Sequence, residues 1–282
     1  MIKAIQDKAQ GNKHWPTMFR VVVFCILCAL ALAVSSGFIP GKRGPWFQIE
    51  AVVISTIVVL ILTKLFARWD AIKLKDVGVV PNRKSFSGYL GGVGIGLMLA
   101  ALQPALVLIT GHVRLVFTPG VSYNTVIVYF LLYLSIGLRE EIAFRGYPLF
   151  SLNRSAGPWI ALLVVGIIFI VEHIAGGMGV WAAIWGSGAG SLLFGIAALK
   201  TKGLALPIGL HSAWNFGQWI LGFKNEAGPF TTIIEKGYKD RIEVIGWISY
   251  LLVMGLAIFV LYNSWKKNEN SAVEKTIQKN IR

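Results

Sequence analysis

Runs of about 20 apolar residues recur along the chain, separated by short connections that hold most of the charge. Such runs can be drawn at 19–39, 49–66, 88–110, 122–150, 158–175, 179–199, 203–222 and 244–264. At about 1.5 Å per residue, each comes near the ~30 Å of a bilayer's hydrocarbon layer. The pattern predicts an all-α fold, a polytopic membrane bundle of about eight transmembrane helices. The first run exceeds a secretory signal core and follows Gly11-Asn-Lys-His-Trp15, so it is expected to stay as a helix.

Composition agrees. Of 282 residues, 55% are hydrophobic and only 14% charged, with a mean hydropathy of +0.66. A soluble domain carries about 25% charged residues. Disorder, a collagen-like fibre and a small disulfide scaffold are excluded. Cys25 and Cys28 lie inside the first apolar run with no metal-binding neighbours, and read as small helix residues.

Net charge is +14, from 27 Lys and Arg against 13 Asp and Glu. In a soluble protein this would point to nucleic acid. Here the basic residues flank the spans, so membrane lipids are the expected partners and nucleic acid is not. With both termini inside, 20 of the 27 basic residues fall on the inner side. Lys42, Arg43, Arg114, Lys224, Lys236, Lys239 and Arg241 fall outside. The bias predicts an integral protein of the plasma membrane with both termini cytoplasmic.

Three parts are expected: an arm with three spans (1–120), a core carrying the chemistry (121–222), and an outer loop, last span and polar tail (223–282). The 67–87 connection reads as a short amphipathic helix or turn around Asp76, the 223–243 connection as a small cap, and the tail after Trp265 as loose. Gly91, Gly92, Gly94 and Gly96, and Gly186, Gly188 and Gly190, read as close helix packing.

An ionisable group at membrane depth is costly and so marks function. Three clusters qualify: Arg139-Glu140-Glu141 with Arg145, Glu172-His173, and His211 with Asn215. If the fourth helix runs on to Phe150, Glu140 lies roughly 15 Å above its inner end. His173, His211 and Asn215 lie roughly 22, 12 and 18 Å above the starts of their own helices. Four polar side chains then share one slab. Glu141 and Arg145 are spaced i, i+4 for an ion pair, whereas Glu140 points about 100° away from Glu141.

A carboxylate near a histidine can hold and deprotonate water. A second imidazole and a carboxamide can donate to an oxygen that becomes negative. The set fits attack of water on a peptide carbonyl. No serine or cysteine is evidently paired with these bases, which disfavours an acyl-enzyme. The same Glu140, His173 and His211 could instead form a His₂Glu zinc set with an open water position. A buried Glu–His relay is also used in ion transport, although no inverted repeat is present.

The order Glu140-Glu141-Ile-Ala-Phe-Arg145, Phe169-Ile-Val-Glu-His173, His211-Ser-Ala-Trp-Asn215 on successive apolar spans resembles the CPBP family. These are the CAAX proteases and bacteriocin-processing enzymes, also called Abi. The resemblance covers about residues 120–220. It implies an eight-helix intramembrane endopeptidase whose cavity opens toward the cytoplasm. Its substrate would be a peptide or protein entering from the membrane or the cytoplasmic side. Glu140 with His173 would activate water, His211 and Asn215 would hold the oxyanion, and Glu141 and Arg145 would support the site. The resemblance leaves the cofactor open between zinc and none. A non-proteolytic use of the same fold, as a bacteriocin-immunity or partner-binding protein, is the alternative.

Overall fold

The computed structural model describes residues 2–37, 44–224 and 228–281, with side chains for 15–37, 44–224 and 228–267. Basic residues of the charge count at Lys3, Lys8, Lys13, Lys42, Arg43, Lys275, Lys279 and Arg282 lie outside the described side chains.

Helices α1 (Ile2–Gly37) and α2 (Pro45–Trp69) form a pair. The 3-10 turn Leu74–Val77 leads into α3 (Ser85–Leu108), strand β1 (Val113–Phe117) and α4 (Tyr123–Glu140). After the π turn Glu141–Arg145 come α5 (Tyr147–Ala156) and α6 (Pro158–Ala175). The short α7 (Val180–Ala182) passes through a second π turn, Ala183–Ser187, into α8 (Gly188–Thr201). Then follow α9 (Ala205–Ile220), β2 (Phe230–Ile234) and α10 (Lys239–Ile281).

Among the described residues, six stretches are long and apolar enough to cross a membrane: Trp15–Gly37, Pro45–Trp69, Ser85–Leu108, Pro158–Ala175, Val180–Thr201 and Lys239–Lys267. The other two expected crossings are α4, which ends on Arg139-Glu140, and α9, with only 16 residues. These are the helices that carry most of the candidate chemistry. Outward faces are apolar: Leu163, Ile167 and Val171 on α6, and Leu252, Leu256 and Phe259 on α10, are all exposed. Exposed apolar stripes on this scale suit hydrocarbon, not water.

Helix α9 is central and fits there because the neighbouring backbones come very close. A Cβ on Gly92 would overlap the Leu206 carbonyl, and one on Gly209 would overlap the Tyr89 carbonyl. The α3 glycines therefore serve close packing, as small residues do between membrane helices. Gly94 is the exception and faces open space. At the start of α8, Gly188 abuts Ile170, whereas Gly186 of the second π turn and Gly190 of α8 line a cavity.

Three expectations change. The fourth helix does not run to Phe150. It widens into the π turn and breaks at Gly146 (φ −74, ψ −118), where a Cβ would overlap the Ile142 carbonyl. Pro148 then starts α5, as proline does in a first turn. The depth count along a single helix therefore fails. Second, the loops hold a two-stranded ribbon with Val113 opposite Ile234 and Phe117 opposite Phe230. Third, the tail after Trp265 continues α10 as helix to Ile281. The turn expected around Asp76 is present, closed by Gly78 at φ 74.

At the end opposite the ribbon, Asp70 ties three helices together. Arg20 Nε lies 2.7 Å from its Oδ1, and the Tyr147 hydroxyl donates to its Oδ2 at 2.7 Å. Phe24 and Phe66 pack against the buried Tyr147 ring.

Candidate active site

Helices α4 and α9 approach so closely at Gly137 that a Cβ there would overlap the Ser212 hydroxyl. This contact brings the end of α4 beside His211. The π turn then turns three charged side chains of one short segment inward. Glu141 and Arg145 are fully buried, and the Glu140 side chain is 12% exposed.

Glu141 Oε1 lies 2.8 Å from His211 Nδ1 and 3.4 Å from Arg145 Nη1. A carboxylate can only accept, so Nδ1 donates and Nε2 is the ring atom turned toward Glu140, 3.8 Å from its Oε2. Phe194 stacks on the imidazole with centroids 4.4 Å apart. The Arg145 guanidinium lies 4.3 Å from the centre of the Phe169 ring, a cation–π contact. Buried charge is tolerable only when paired in this way.

On α6, His173 Nδ1 lies 2.9 Å from the Phe169 carbonyl oxygen. The carbonyl accepts, so Nδ1 donates and Nε2 of the neutral ring keeps its lone pair. The adjacent Glu172 accepts from Arg139 Nη1 at 3.1 Å. Arg139 is almost completely buried, so this bridge between α4 and α6 is internal.

Glu140, His173, His211 and Asn215 line one cavity of about 360 Å³. Glu141 and Arg145 are not in its wall but stand behind His211. The cavity shares Gln103, Gln218, Phe223, Lys224, Trp247 and Tyr250 with a second compartment of about 630 Å³ under the ribbon. It therefore continues toward the ribbon end of the bundle.

Residues 122–217 match the family described as type II CAAX prenyl endopeptidase, Rce1-like. The matched segment is similar to a CAAX-protease core and spans about a third of the chain. No curated protein matches the chain. All six motif residues fall within the match, and so do Arg139, Glu172 and Phe194. Helices α1–α3, the ribbon and α10 lie outside it.

Among the described residues, no three His, Cys, Asp or Glu side chains gather as metal ligands, so the alternative zinc set is not assembled in this geometry. Both histidines commit Nδ1 to protein oxygens, one to Glu141 and one to a backbone carbonyl, which leaves Nε2 of each ring as the atom for a proton, a water or a metal. The chemistry of the site is derived below from its own side chains. Sequence reasoning missed three features: the Glu141 contact to His211, the Arg139–Glu172 bridge, and the aromatic faces of Phe169 and Phe194. Arg139 gave a signal, as a charged residue one position before the paired acids.

Proposed function

We propose that the protein is an intramembrane endopeptidase that hydrolyses a peptide bond of a membrane-associated protein or peptide. The observation that carries this reading is the shared cavity of Glu140, His173, His211 and Asn215. Water held between the Glu140 carboxylate and His173 Nε2 loses a proton to Glu140 as it attacks the scissile carbonyl. The oxygen of that carbonyl becomes negative. Asn215 donates to it from its carboxamide, and His211 donates from Nε2 when both ring nitrogens carry protons. Glu141 and Arg145 fix the imidazole plane and so preorganise the donor. Glu140 returns its proton to the leaving amine. No covalent acyl-enzyme is required.

The charge count supports a plasma-membrane location with both termini cytoplasmic. In that orientation the ribbon end faces outward, and the compartment that continues the cavity lies at that end. With the termini cytoplasmic, the cavity opens outward and not toward the cytoplasm as the resemblance implies.

The test compares new N-termini of membrane proteins in cells carrying the wild-type chain or Glu140→Gln. A defined set of termini should vanish with the variant. If every terminus persists while the variant is inserted and folded, the endopeptidase reading fails.

A further inference from the structure

We propose that a hollow between the start of α3 and the α8–α9 turn binds the phosphate headgroup of an anionic lipid. The hollow measures about 670 Å³ and lies at the end of the bundle away from the ribbon. Lys75, Lys84 and Lys202 line it, with Ser85 and Ser87. These lysines come from three separate segments: the 3-10 turn, the approach to α3 and the end of α8.

The walls are fixed. A Cβ on Gly78 would come 3.1 Å from Gly203 Cα, so the two turns pack backbone to backbone. Lys202 itself has φ 51, in the left-handed region, which sets its direction off the end of α8. Among the described residues, no Asp or Glu lines the hollow. Three like charges around one space repel each other unless an anion joins them. The first turns of α3 and α9 also enter the wall and add partial positive charge.

Position selects a lipid over a soluble anion. A membrane-spanning stretch begins at Ser85, which places the hollow at headgroup level. Directly after the polar wall, Phe86 and Leu90 are 73% and 49% exposed on α3, an apolar strip for an acyl chain. The hollow shares no lining residue with the catalytic cavity. The proposal therefore does not depend on the proteolytic reading.

The test uses the purified full chain in neutral detergent and counts bound lipid by native mass spectrometry. The probes are short-chain phosphatidylglycerol, phosphatidylcholine and inorganic phosphate. Phosphatidylglycerol should bind the wild type and outcompete phosphatidylcholine. The variant K75Q/K84Q/K202Q should bind it about tenfold or more weakly. Ser87→Trp, which fills the hollow without changing charge, should do the same. The variant K64Q/K73Q/K200Q removes equal charge elsewhere on the same end and should keep binding. Equal loss in that control, or full binding by the first triple variant, overturns the site. Binding of inorganic phosphate without any binding of phosphatidylglycerol overturns the lipid assignment.

Discussion

His211 sits between the carboxylates of two consecutive residues, with Nδ1 2.8 Å from Glu141 and Nε2 3.8 Å from Glu140. Side chains of neighbouring helix residues diverge by about 100°, which is why the pair can meet opposite edges of one ring. One acid holds the imidazole while the other faces the cavity.

That division of labour separates the two glutamates experimentally. Glu140→Gln should reduce peptide hydrolysis by about a hundredfold or more, with little change in thermal stability. Glu141→Gln should be unstable as well as inactive, because it leaves Arg145 buried without its partner, at about 3–5 kcal/mol. Hydrolysis assays and thermal melts on the same preparations check both.

Gly137 sets the spacing between α4 and α9. Gly137→Ala should cost about 1–3 kcal/mol through overpacking against Ser212 and should lower activity. Adding Ser212→Gly should restore part of both losses. A double-mutant cycle reads that coupling directly.

The Arg139–Glu172 bridge is expected to hold α6, and with it His173, in place. Glu172→Gln should lower stability and reduce turnover by less than Glu140→Gln does. Arg139→Met combined with Glu172→Met should recover stability relative to either single change, since replacing a whole buried pair is often neutral. Melting temperatures of the three variants decide the point.

The ribbon supplies a contrasting case. His112 Nδ1 lies 2.7 Å from Glu235, and the pair is solvent-exposed. Glu235→Ala should cost under about 1 kcal/mol and leave hydrolysis unchanged.

Metal dependence has a simple readout. With no ligand cluster assembled among the described residues, dialysis against a chelator should leave hydrolysis intact, and added zinc should not raise it. Loss of activity on chelation, restored by zinc, would contradict the side-chain chemistry derived above.

The apolar runs made the helical bundle legible, because length and hydropathy act locally. The three polar clusters were legible for the same reason, since charge inside an apolar run is conspicuous. What lay hidden depends on neighbours distant in sequence. Nothing near Glu141 announces that it holds His211, 70 positions further on. Glu172 stands beside His173 in sequence, and only the fold brings Arg139 of α4 to it. Val113–Phe117 and Phe230–Ile234 are each too short to stand out, and they become strands by pairing with each other. The break does have a local signal in Gly146 and Pro148, although Phe144, Tyr147, Leu149 and Phe150 carry large apolar side chains across it.

The π turn at Glu141–Arg145 accommodates one residue more than a regular helical turn would. Deleting a single residue there, such as Ala143, would let the backbone relax into ordinary α-helix. The preceding α4 would then be rotated against α5, and Glu140 would swing out of the hollow it now faces. A membrane bundle of nearly the same sequence could thus insert and fold yet lack any chemistry, with the difference between an enzyme and an inert scaffold resting on one amino acid of chain length.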